Sequence, residues 1–234
     1  MILRGFGFDA VLATVNLALL LYLVGYMIYR RRFTHGGNLL LGLIMMLAIT
    51  GFADLFFRYF PNPTVILLAN VYLVFCGLWA MTITVHFSLF AFSRARFLWA
   101  NELYLLLYLP ALTVSLLYAA TPLMLAGIFY TPLGFRLIYG PAYWAVVILG
   151  MSLAAFSFLL ELGTLIRNIS RGENNQAVIS LVILGLLSYY FCYNLLLPFL
   201  SRSSVLIGGA PVSLAVAVLI FEFVRYHYVS LEEV

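Results

Sequence analysis

Lysine is missing altogether from this 234-residue chain, and charged residues of any kind make up only 9% of it. All twelve basic residues are therefore arginine. A retinal chromophore needs a lysine to form its Schiff base, so no count of helices can make this chain a rhodopsin. Histidine is nearly as scarce: His35, His86 and His227 are the whole set. Only His86 falls inside an apolar run, and no two histidines stand at helical spacing. Catalytic zinc needs three protein ligands and a polarised water, which disfavours an intramembrane metal hydrolase. No serine or cysteine has a neighbouring base that would mark it as a nucleophile. The two cysteines, Cys76 and Cys192, lie in apolar segments and read as small core side chains, outside any redox or metal role. The sequence thus predicts no cofactor, no metal and no catalytic activity. The formal charge of +4 comes from loop arginines and gives no basic face for nucleic acid.

What the chain has in excess is hydrophobicity: 65% apolar residues and a mean hydropathy of +1.11. About 20 apolar residues cross the hydrocarbon core of a bilayer, because each helical residue advances about 1.5 Å across some 30 Å. Seven such runs fill the chain, at about 8–29, 38–59, 64–92, 99–120, 141–166, 176–198 and 204–226. Gly36-Gly37, Pro61-Asn62-Pro63 and Arg171-Gly172-Glu173-Asn174 punctuate them. The expected fold is one all-α membrane domain over 1–234, a seven-transmembrane helix bundle. Between the fourth and fifth runs, residues 121–140 form the longest connection. Its stretch Ile128 to Tyr139, rich in β-formers around Pro132-Leu133-Gly134, predicts a short β-hairpin over the outer mouth or an irregular loop on the interface.

Arginine placement sets the orientation. With the N-terminus outside, Arg30, Arg31, Arg32, Arg94, Arg96, Arg167, Arg171 and Arg225 fall on the cytoplasmic side, against Arg4, Arg58, Arg136 and Arg202 opposite. That is the positive-inside bias, and it puts the C-terminus in the cytoplasm. The first run is too long for a signal peptide, lacks a cleavage pattern, and ends in Arg30-Arg31-Arg32, so it reads as an uncleaved anchor. Asn168-Ile169-Ser170 matches a glycosylation sequon but falls on the cytoplasmic side.

Polar residues inside an apolar helix are costly and should face the bundle interior. Four helices carry such stripes: Asn70, Gly77, Thr84 and Ser88; Tyr143, Gly150, Ala154, Ser157 and Glu161; Gln176, Ser180, Tyr190 and Asn194; Ser204, Gly208, Pro211, Ala215 and Glu222. Each stripe reads either as a packing seam or as the wall of a site. In the outer half, Asp54 and Arg58 stand one turn apart, acid before base. With Asn70, Tyr143, Trp144, Tyr190 and Asn194 they form the candidate ligand-binding set, an aromatic-lined cavity with a few polar groups. Tyr72 is opposite Asn70 by helical phase. The competing reading makes Tyr143 and Trp144 interfacial-belt residues and Asp54–Arg58 a structural pair. In the inner half, Glu161 and Glu222 lie near Arg94, Arg96, Arg167 and Arg225, as neutralising pairs or as parts of a switch. His86 is expected to stand alone there. Gly208, Gly209 and Pro211 offer a bend in the last helix. Glu161, Pro211, Glu222 and Arg225 are the candidate signal-transmission residues.

Gly140-Pro141-Ala142-Tyr143-Trp144 opens a helix after a hairpin-like loop, and a basic link from Arg167 to Arg171 leads to Gln176. The last helix closes with Phe223-Val224-Arg225-Tyr226-His227-Tyr228. Across essentially the whole chain this order resembles the N-terminal seven-transmembrane sensor region of bacterial histidine kinases and related signalling proteins. The resemblance implies a multi-pass protein of the bacterial inner membrane. It further implies a small-molecule or lipid ligand, a homodimer, and a cytoplasmic kinase-type output driven by the final helix. Only Val229 to Val234 follow Tyr228, so the output is expected either in a longer natural chain or in a partner. A small solute transporter is the alternative, although helices one to three and five to seven show no duplicated motif.

Overall fold

The computed structural model describes residues 8–30, 35–59, 62–93, 101–131, 134–172, and 177, 180, 181 and 183–185. Its elements are α1 (Phe8–Arg30), α2 (His35–Tyr59), α3 (Pro63–Ser93), α4 (Asn101–Ala120), β1 (Leu125–Thr131), β2 (Gly134–Tyr139) and α5 (Tyr143–Ser170). The described positions of 177–185 are helical as well. The described residues are mostly helical, because a helix satisfies the backbone N–H and C=O groups of an apolar segment internally where water is excluded. Two helical stretches, Pro63–Leu89 and Tyr143–Ser170, are long and apolar enough to cross a membrane. Thr14–Tyr29, Asn38–Ala53 and Leu105–Ala120 are shorter apolar helices. The remainder of the expected sixth and seventh helices lies outside the described residues.

Three boundaries differ from the sequence reading. Gly36 and Gly37, expected to separate two helices, sit in the first turn of α2. Helix α5 starts at Tyr143, because Gly140 and Pro141 are taken up by a turn in which the Tyr143 N–H donates to the Gly140 carbonyl at 3.1 Å. It runs on to Ser170, so most of the expected basic link is its last turn. Asn168, part of the sequon, is buried there and sterically closed to a glycan.

Helix α3 is the hub, packing against α2, α4, α5 and β1. Helices α1 and α2 bury Leu17, Leu20, Leu23 and Met27 against Leu40, Ile44 and Ala48, positions three or four apart on each helix. On the α3–α5 seam, Met81 and Val85 meet Leu153 and Ala154. Gly150 and Ala154 keep that face of α5 low, and a Cβ on Gly150 would come within 3.9 Å of Leu78.

The predicted hairpin is present. Strands β1 and β2 pair antiparallel, with Ile128 opposite Leu137 and a register shift between Leu125 and Gly127. Ile128 and Leu137 pack on Ile66 and Ala69 near the start of α3, with Phe56 of α2 and Leu73 alongside. The base of the hairpin is tied closed against the turn between α4 and β1: the Gly140 N–H donates to the Met124 carbonyl at 3.0 Å and the Ala142 N–H to the Leu123 carbonyl at 2.9 Å. Gly140 closes this tie. A Cβ at that position would overlap the Leu123 carbonyl, a backbone atom that cannot step aside.

Gly140→Ala should therefore loosen the tie and lower stability by about 1–3 kcal/mol. Gly25→Ala, at a helical glycine with open space around it, should be neutral or gain about 0.5–1 kcal/mol. Thermal unfolding of the two variants in the same detergent checks the contrast; equal melting would refute the closing role of Gly140.

Candidate functional site

Two polar constellations are buried along α3, one at the hairpin end and one about 27 Å further along the helix, five turns on. At the hairpin end the Tyr118 hydroxyl of α4 donates to Asn70 Oδ1 of α3, and both side chains are buried. Tyr118 lies against Tyr143, ring centroids 6.4 Å apart, and Tyr143 stacks on Tyr139 of β2 at 3.9 Å with planes 20° apart. Strand, two helices and the first residue of α5 thus meet in one tyrosine cluster, floored by Leu78, Met124 and Val146. Stacked and tilted aromatic pairs of this kind add about 0.5–1.5 kcal/mol each beyond the area they bury.

The second constellation lies on the α3–α5 seam. Ser88 Oγ of α3 donates to Glu161 Oε1 of α5 at 2.6 Å. Glu161 also hydrogen-bonds Ser180 in the helical segment after α5. Glu161 is 1% exposed, Ser88 0% and Ser180 3%, so this acid is sealed among helices rather than set at a wet rim. Along the same face of α5 run Ser157, Thr164 and Asn168, all buried. The Thr164 hydroxyl is returned to its own helix, donating to the Leu160 carbonyl at 3.0 Å. Ser157 Oγ and Asn168 Oδ1 are buried without a hydrogen-bond partner among the described residues.

An aromatic column fills the space between α3 and α4. Phe75 stacks on Trp79, Trp79 meets Tyr108, and His86 meets Tyr108 edge-on. His86 Nδ1 lies 3.0 Å from the Tyr108 hydroxyl. The expectation of a solitary His86 is therefore corrected: α4 brings a tyrosine to it, a partner invisible when each helix is read alone.

The candidate residues fare unevenly. Asn70 and Tyr143 are brought to one cluster, joined through Tyr118 rather than by direct contact. Trp144 is 56% exposed and points away from it, as an interfacial-belt residue would. Tyr72 is 55% exposed, opposite the buried Asn70, as its phase predicts. Asp54 and Arg58 are one turn apart on α2, and their side chains lie outside the described residues. Tyr190, Asn194, Pro211, Glu222 and Arg225 lie outside them too. Glu161 is held by two serines among the described residues, and Arg94, Arg96 and Arg225, the arginines expected near it with Arg167, lie outside them. Ser88 and Glu161 each sat on a polar stripe, and the two stripes meet on the α3–α5 seam. Tyr118 and Tyr139 were missed as site residues. The buried spacing Ala111, Ser115, Tyr118 on α4 was a signal for the first.

No protein-family model matches this chain, and no curated protein matches it in sequence.

Tyr118→Phe leaves Asn70 buried without its donor and should cost about 1–3 kcal/mol, whereas Tyr72→Phe should cost nothing measurable. Replacing both members, Asn70→Leu with Tyr118→Phe, should recover part of the loss. A double-mutant cycle on thermal stability reads this directly, and additive losses would show that the two groups do not act as a pair.

Proposed function

We propose that the chain is a membrane-embedded sensor whose fifth helix carries a conformational change from its hairpin end to a polar seam deep in the bundle. One observation carries the reading: Tyr143, the first residue of α5, is stacked under the hairpin, and the same helix buries Glu161 on the same face five turns later. A helix is stiff along its axis, so a ligand that shifts the hairpin or the tyrosine cluster also shifts Glu161 against Ser88. Such a ligand must bind one packing more tightly than the other, since equal affinity moves nothing.

Within this reading the bundle has seven spans, with the N-terminus outside and the C-terminus in the cytoplasm of a bacterial inner membrane. The hairpin then faces outward, where a small-molecule or lipid ligand arrives. The last helix, with Pro211, Glu222 and Arg225, passes the change to a cytoplasmic kinase-type output in a homodimer. Arginine placement and the resemblance to seven-transmembrane sensor regions support these finer points. A second reading, a small solute carrier, draws on the buried Glu161, because intramembrane acids also mark transport pathways.

Spin labels at Phe52 on α2 and within 204–226 test the choice in proteoliposomes. Small polar compounds and lipid headgroup analogues are screened for a change in label separation, with solute flux followed in parallel. The sensor reading expects one class to move the labels by about 1–2 Å or more without flux. Flux of a compound that leaves the labels still would favour the carrier.

A further inference from the structure

We propose that Glu161 is an intramembrane proton-binding site, clasped by Ser88 and Ser180, whose loading changes how α5 is held against its neighbours. The inference deepens the sensor reading and rests on it only for the consequence, the movement of α5; loading of the site stands on geometry alone.

The carboxyl group is buried at 1% exposure in a seam between apolar helices. Every partner found for it is a hydroxyl. The charged or titratable groups on the elements around it are few among the described residues. On α3 there is His86, two residues from Ser88 and engaged with Tyr108 of α4. On α5 itself there is Arg167, six residues on and so about 240° around the helix from Glu161. The described positions of 177–185 bring Ser180 and no ionisable side chain. Among the described residues no basic side chain is paired with this carboxylate, a costly arrangement in a low-dielectric interior. Binding one proton from water at a carboxylate oxygen forms an O–H bond and takes the group from −1 to neutral.

Serines suit both states. Toward the carboxylate, each hydroxyl donates. Toward the acid, one hydroxyl becomes the acceptor of the new O–H and must turn its own hydrogen elsewhere. The same face of α5 offers one candidate acceptor for that hydrogen: Ser157 Oγ, one turn before Glu161, is fully buried with no partner among the described residues. Asn168 Oδ1, two turns after Glu161, is in the same condition. With Thr164, Asn168 continues the buried polar face of α5 for about 10 Å beyond Glu161. Loading thus exchanges a clasp in which two helices both donate to α5 for one in which α5 donates to one of them.

The sequence provides a clean assay. Glu161 is the only carboxylate between Arg136 and Arg167, so cleavage after arginine isolates it on one peptide. Wild-type protein in proteoliposomes is treated with dicyclohexylcarbodiimide, which adds to a protonated carboxyl group and leaves a stable acylurea readable by mass. Across about pH 5 to about pH 9, labelling of this peptide should fall about tenfold per pH unit once the acid ionises, and sodium ions should not change it. Glu161→Gln should abolish the label, and the wild-type-minus-variant infrared spectrum should show a carboxylic acid carbonyl band that fades over the same range. Labelling that ignores pH, protection by sodium at fixed pH, or absence of both label and band would each overturn the proposal. The experiment uses no ligand. Failure here with a ligand-driven label movement intact removes the proton site alone, and success here with no ligand response removes the sensor reading alone.

Discussion

Seating a carboxyl group between two apolar helices constrains everything around it. Ser88 Oγ reaches Glu161 at 2.6 Å only because α5 presents Gly150, Ala154 and Ser157 to α3 above that point, letting the backbones approach. Larger side chains would hold the helices apart and leave the acid without its donor, at a cost of several kcal/mol. The small-residue face and the acid are therefore one feature. Met81, Val85 and Leu153 then fill the remaining space of the seam, and the position of α5 is set.

The hairpin end shows the same economy of polar groups. Asn70 faces inward on α3, and the Tyr118 hydroxyl satisfies its carbonyl oxygen. The ring of Tyr118 in turn lies beside Tyr143, whose other neighbour is Tyr139 of the hairpin. Four elements converge there without a charged group among the described residues of the cluster, and apart from the Asn70 amide its polar side-chain atoms are carried on tyrosine rings that also pack. Gly140 makes the arrangement possible by letting the chain pass the turn after α4, at Pro122 and Leu123, at a separation no side chain would allow.

Much of this was legible in the sequence, and the reasons differ by element. Helices α1 to α5 were readable because long apolar runs bounded by turn residues favour helix in a chain of this composition. The hairpin was readable from a β-rich stretch around Pro132-Leu133-Gly134. Buried faces on α3 and α5 followed from phase: Asn70 and Ser88 are buried while Tyr72 is exposed. Partners were not readable. Nothing in the local sequence of Glu161 names Ser88, 73 positions away, and nothing around His86 names Tyr108 on the next helix. Phase tells which way a side chain faces; only the packing of helices tells whom it meets.

Asn70 and Ser88 are 18 residues apart on α3, as are Tyr143 and Glu161 on α5, and 18 residues are five whole helical turns. Both helices thus carry their polar or aromatic anchors on a single face, about 27 Å apart. Small rotation of α5 about its own axis would move Tyr143 away from Tyr118 and Glu161 away from Ser88 in the same sense. Sliding along the axis would do likewise. Loosening one anchor therefore loosens the other, and intermediate positions satisfy neither, which favours two discrete packings over a continuum. Ser180 gives Glu161 a second hydroxyl on a different element, so a displaced α5 need not leave its acid bare. Paired anchors on one face, one of them held by two hydroxyls, are what the two packings of the proposed sensor would require.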